Sequence, residues 1–172
     1  AEDLSPALGC YGHPDARTPN LDAFAKESLL FTHAFAAYPV CSPSRSCLIT
    51  GMYPSTTGTG QMRSAFPLPQ GVTGFPQYLR EAGYHTTNNV KTDYNSADAE
   101  RLTKNSWVES ISKAHWRTRK KGQPFFAVFN DMTTHQSRTM VWPYSVFKKE
   151  IQGELSPDEI HKPNQVQVPT YY

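Results

Sequence analysis

With 172 residues, 38% of them hydrophobic and 19% charged, the chain can bury one sizeable core but not two. Its 17 basic and 15 acidic residues leave a formal charge of +2, a balance that offers no field for nucleic acid or for a membrane surface. No apolar run approaches the ~20 residues that a membrane-spanning helix needs. Three cysteines, Cys10, Cys41 and Cys47, make no disulfide framework and leave at least one thiol unpaired, so the redox compartment stays open.

The elements alternate. Thr18-Pro19 opens a helix whose apolar positions Leu21, Phe24, Ala25 and Leu29 recur at helical spacing. A strand is expected over 30–35, and then a loop over 36–40 leading to Cys41-Ser42-Pro43-Ser44-Arg45-Ser46-Cys47-Leu48-Ile49-Thr50-Gly51. In that segment Ser42 is suited to the N-cap, Pro43 to the first helical position and Gly51 to the left-handed residue that ends a helix. Cys41 then lies just outside a helix N-terminus, where unpaired N–H groups and the helix dipole favour negative charge. Arg45 follows one helical turn later. The Gly/Thr-rich stretch 55–60 reads as a loop. A helix over 75–82 closed by Gly83, a strand over 84–90, an amphipathic helix over 106–119 and a buried parallel strand over 124–130 complete the pattern. The basic run Arg117-Thr118-Arg119-Lys120-Lys121 reads as a solvated helix end. The fold class is α/β, a mixed and mostly parallel sheet flanked by helices. In such sheets ligands bind beyond the carboxyl ends of the strands, which draws attention to Lys91 and His135, each following an expected strand.

The order Cys41-x-Pro43-Ser44-Arg45 followed by Leu48-x-Thr50-Gly51 resembles the active-site motif of the type I sulfatases, of the alkaline phosphatase superfamily. The resemblance runs from Glu2-Asp3 through Gly9-Cys10-Tyr11-Gly12 and Thr18-Pro19-Asn20-Leu21-Asp22 to His135. Within that family, the segments around Lys91 and His135 look most like the bacterial branch related to heparan N-sulfatase. The resemblance implies that Cys41 is oxidised to formylglycine by a formylglycine-generating enzyme, Ser44 and Pro43 helping that enzyme to recognise it. The hydrated aldehyde would attack sulfur, and the sulfated product would collapse to release sulfate. It further implies that Arg45 binds the formylglycine and the sulfate, that Lys91 contacts the sulfate and that His135 acts on the leaving group. Asp93 stands where the family carries a histidine; a carboxylate there could orient or deprotonate the nucleophile but adds negative charge beside the sulfate.

By the same resemblance, Glu2 and Asp3, with the modified Cys41, are ligands of one Ca2+ per active site, the remaining Asp-Asn ligands having no counterpart before residue 172. Glutamate in the first place is a departure that lengthens the ligand arm. The buried strand that precedes the acidic pair in the family is absent, and 166–172 reads as a loop in mid-course. The chain is therefore expected to be the N-terminal part (1–172) of a single catalytic domain, its sheet incomplete at both ends and the piece alone inactive. The substrate implied is a sulfated sugar or another sulfate ester or sulfamate, met in the periplasm or outside the cell. Two other readings stay open: a phosphonate or phosphate ester hydrolase of the same superfamily, and a non-catalytic relative that keeps the fold.

Overall fold

Three strands among residues 2–165, the part of the chain that this computed structural model describes, pair into one parallel sheet. They are β1 (His85–Asn89), β2 (Glu109–Ser110) and β3 (Phe125–Phe129), in the order β2-β1-β3. The register of β1 on β3 is unbroken from His85 beside Phe125 to Asn89 beside Phe129. The sheet lies in a unit of residues 5–130; the stretch from Asp131 onward forms a second unit with the first residues, through Leu4.

Within the larger unit, side-chain alternation divides β3 between two faces. Phe126 and Val128 pack against the core of Ile49, Leu68, Tyr94, Leu102 and Trp107, Trp107 stacking on Phe126 with centroids 6.0 Å apart. Phe125 and Phe129 point the other way, toward Trp116 and His115, at 5.2 and 5.3 Å. Five helices belong to this unit: α1 (Pro19–Lys26), α2 (Cys41–Thr50), α3 (Pro54–Thr57), α4 (Phe75–Glu81) and α5 (Ala99–Ser106). Gly51 closes α2 in the left-handed region, its N–H donating to the Cys47 carbonyl at 2.8 Å. Gly83, at φ 93°, follows α4 as its sequence position implies.

Several expectations need correction. Residues 30–35 are not a strand: Phe31 and Phe35 are exposed and gain nothing from a pleated, half-buried arrangement. The loop at 55–60 includes the short helix α3. The helix expected over 106–119 is absent, because α5 ends at Ser106 and Trp107 turns extended (φ −117°, ψ 135°) to carry its indole into the core. The basic run is a 3-10 turn, Trp116–Thr118, and its continuation rather than a helix end. Arg117 and Arg119 there place their guanidinium groups 5.0 and 4.9 Å from the Trp116 ring centroid, in cation–π contact. β3 is only half-buried, not buried.

The second unit carries α6 (Ser137–Met140) and α7 (Tyr144–Glu150), with the Arg138 guanidinium 3.9 Å over the Trp142 ring. The loop expected at 166–172 falls outside the described residues. No helix among the described residues is long and apolar enough to cross a membrane.

Candidate active site

Helix α2 begins two residues earlier than its capping pattern suggests. Val40 is the N-cap, its carbonyl accepting the Ser44 N–H at 2.9 Å, so Cys41 is the first helical residue rather than its outside neighbour. Ser42 is not the cap and Pro43 is the third helical residue; both side chains are buried. The Ser42 hydroxyl donates to Oδ1 of Asn95 at 2.8 Å, with the Asp93 carbonyl at 3.2 Å as its second acceptor. The half-buried Cys41 side chain is left at the open first turn of a ten-residue helix, where backbone N–H groups have no intrahelical partners.

The loop 91–95 leaves the carboxyl end of β1, where the sheet rule puts a ligand crevice. Asp93 and Asn95 sit there with positive φ, 51° and 47°, values that asparagine and aspartate tolerate better than other residues. The loop is held by side chains. Arg45 donates through Nε to the Thr92 carbonyl at 2.8 Å, through Nη2 to the Lys91 carbonyl, and through Nη1 to Oδ1 of Asn130 at 3.0 Å. Asn95 donates to the carbonyls of Thr59 and Gln61 at 2.6 and 2.7 Å and accepts the Ser64 N–H at 2.9 Å. Arg45 therefore spends donors along its whole fork on fixing the backbone that carries Lys91 and Asp93, beyond the anion contact that its spacing from Cys41 implies.

Tyr94 anchors the loop from beneath. Its ring is 3% exposed and its oxygen accepts the Trp107 indole N–H at 2.9 Å. Burial pushes its phenol above the usual tyrosine range, outweighing the Trp107 hydrogen bond and the positive charge of Arg45, which both favour ionisation. A phenol raised in the fold keeps its full stability below the unfolded value of about 10 and loses it as pH climbs toward the folded value. Urea unfolding between pH 9 and 11 is thus expected to show a stability loss that Tyr94→Phe flattens. An identical slope in the variant would remove Tyr94 as its source.

In the second unit, Asp3 (φ 52°) accepts the Gln136 N–H on Oδ2 at 2.9 Å. The Glu2 N–H donates to the Asp131 carbonyl at 3.1 Å, and its own carbonyl accepts the Thr134 hydroxyl. The loop leading to His135 is turned by Asp131, whose Oδ1 accepts the Thr133 N–H at 2.9 Å, a contact that holds this carboxyl below the usual range. His135 Nδ1 accepts the Ser137 N–H at 3.2 Å and lies 2.7 Å from the Ser137 hydroxyl. A nitrogen accepting a backbone N–H has no proton of its own, so the neutral ring carries its hydrogen on Nε2.

The larger unit thus brings together Cys41, Arg45, Lys91 and Asp93; Glu2, Asp3 and His135 belong to the other. Glu2 and Asp3 are hard oxygen donors of the chemistry calcium takes, but two carboxylates fall short of the six to eight oxygens it needs. No group of three metal-ligating side chains occurs among the described residues. Spacing gave no hint of Asn88, Asn95 and Asn130, whose amides organise the loop. For Asn88 and Asn130 the one signal in the sequence is polarity at strand ends that otherwise favour β-branched and aromatic residues.

The family model described as Sulfatase matches residues 1–156. Over 167 residues the chain is 38% identical to an ulvan-active sulfatase of Formosa agariphila, an alignment covering 90% of this chain and 27% of that protein. Over 86 residues it is 45% identical to iduronate 2-sulfatase of Homo sapiens, covering 49% of this chain and 16% of the relative. The solved structure of BT4656 in complex with its substrate D-glucosamine-2-N,6-O-disulfate shares the fold, with a TM-score of 0.63 at 22% identity over 77% of this chain and 33% of its own. The chain spans about a quarter or less of the length of these two curated relatives.

Proposed function

The chain belongs to the sulfatase family, and from that premise we propose that the whole protein hydrolyses sulfate esters of a sulfated carbohydrate, with residue 41 as nucleophile after its oxidation to formylglycine. The observation that carries this reading is the arrangement at α2: a modifiable Cys41 on the open first turn, with Arg45 of the same helix tied to the loop that bears Lys91 and Asp93. The hydrated aldehyde supplies an oxygen nucleophile that a thiol does not. Lys91 supplies positive charge for the sulfate oxygens, and the Asp93 carboxylate takes the proton of the attacking hydroxyl. His135 gives its Nε2 proton to the departing sugar oxygen, a role worth typically 10²–10⁴-fold in rate. Glu2 and Asp3 contribute carboxylates to a calcium shell that the rest of the protein completes. A polymeric sulfated glycan is met in the periplasm or outside the cell, where we place the protein.

The test uses full-length protein produced together with a formylglycine-generating enzyme. Mass spectrometry of the peptide containing Cys41 is expected to show the loss that accompanies exchange of the thiol for an aldehyde, and the same sample is expected to release sulfate from sulfated oligosaccharides. Unmodified cysteine under these conditions, with no turnover of any ester, would point to a non-catalytic relative. Turnover of phosphonate esters without sulfate release would move the protein to the phosphonate hydrolases of the superfamily.

A further inference from the structure

We propose that Asn130, the residue immediately after β3, is a positioning residue that locks Lys91 beside the nucleophile helix by closing a ring of hydrogen bonds. The inference rests on the role given to Lys91 above. In the ring, Arg45 Nη1 donates to Asn130 Oδ1 at 3.0 Å, and Asn130 Nδ2 donates to Asn88 Oδ1 at 3.0 Å. Asn88 Nδ2 donates to the Lys91 carbonyl at 3.1 Å, and that same carbonyl accepts Arg45 Nη2, which returns to the start. A further bond from Asn130 Nδ2 to the Asn89 carbonyl at 3.0 Å fixes the amide on the end of β1.

The direction of every bond is dictated by chemistry. A guanidinium can only donate and a carbonyl can only accept. Asn130 must therefore turn its oxygen to Arg45 and its nitrogen to the Asn89 carbonyl, and Asn88 must turn its nitrogen to Lys91. The two amides then meet oxygen to nitrogen; flipping either one would set donor against donor and acceptor against acceptor. Asparagine supplies donor and acceptor on one short arm. Aspartate lacks the donor, leucine lacks both, and glutamine is a methylene too long for the same span. The ring joins α2, the end of β1 and the end of β3 to a single carbonyl, that of the residue bearing the proposed sulfate-binding amine. Misplacing a catalytic group by ~1 Å can cost about 10²-fold in rate, and this loop has no ladder of its own to hold it.

The experiment takes the full-length protein with Asn130→Asp, Asn130→Leu, Asn88→Leu and the Asn130→Leu/Asn88→Leu double variant. Limited trypsin digestion reads cleavage after Lys91. Each single variant leaves part-buried partners unpaired and is expected to lower the melting temperature by a few degrees, while speeding cleavage after Lys91 well beyond any change at other sites and lowering kcat for a sulfate ester by about 10- to 100-fold. Because the ring breaks once, the double variant is expected to be no worse than the worse single variant. Unchanged cleavage after Lys91 in the Asn130 variants, or losses in the double variant that equal the product of the singles, would overturn the inference. If the parent turns over no sulfate ester, the functional reading fails by itself, and the ring is judged on the cleavage rates and their additivity. Should Asn130→Leu fold poorly, the nearly isosteric Asn130→Asp, which keeps the acceptor for Arg45 and removes only the donor, decides the same question.

Discussion

Replacing Cys41 by alanine in the full-length protein is expected to lower turnover of a sulfate ester by about 10⁴-fold or more while leaving the fold intact. Removing a nucleophile eliminates the covalent route altogether, and losses of that order or larger follow when nucleophiles of hydrolases are deleted. The same change is gentle on structure. Cys41 is half-buried at the first position of α2, no side-chain cap depends on it, and it forms no disulfide. Alanine is the best helix former, so urea unfolding is expected to move by no more than about 0.5 kcal/mol, the usual range for substitutions that touch no special feature. Steady-state sulfate release and a denaturation curve on one sample check both halves. Turnover within tenfold of the parent would show that residue 41 is not the nucleophile.

The second large effect is expected from Arg45→Lys, a change that keeps the charge. An ammonium is a point charge and cannot reproduce a planar fork that reaches the Thr92 and Lys91 carbonyls and Oδ1 of Asn130 together. At least two part-buried acceptors lose a charged donor, each worth about 1.5–3 kcal/mol, so a destabilisation of about 3 kcal/mol is expected for unfolding of the 5–130 unit. Turnover is expected to fall by about 10²-fold because the loop carrying Lys91 and Asp93 loses its register on α2. Denaturant unfolding and kcat are the measurements. A lysine variant with parental stability would mean that the guanidinium bonds contribute no net free energy, leaving Arg45 only a role toward the anion.

The sequence made some of this readable and hid the rest for definable reasons. Helices α2 and α4 and strands β1 and β3 were legible because proline, glycine and short apolar runs act locally. Cys41 and Arg45 stood out through the resemblance that their motif carries, and the structure sets both on α2. Helix α5 escaped because Ala-Glu-Arg-Leu-Thr-Lys-Asn-Ser offers a single large apolar residue, Leu102, fully buried here. The aromatic and apolar residues beyond it, Trp107 among them, drew the expected helix to 106–119. The amides were invisible for a different reason: Asn130 meets Arg45 across 85 positions of sequence and Asn88 across 42. An amide carries no periodicity, and only the folded sheet reveals what it faces.

Strand β1 is central in the sheet and reads His-Thr-Thr-Asn-Asn, yet it is buried along nearly its whole length. Its side chains are tethers: Thr86 to the Ser106 carbonyl at 2.7 Å, His85 to Thr118 at 2.9 Å, Asn88 to Ser110 at 3.0 Å. An oily central strand could slide by two residues and still present oil to oil. This one cannot, because a slide of one residue inverts its faces and a slide of two separates His85, Thr86 and Asn88 from their mates, at about 1–3 kcal/mol for each buried orphan. The alignment of the three strands is therefore written as a lock with one key. The loop that emerges from β1 inherits that uniqueness, delivered to its place by the strand's refusal of any alternative pairing.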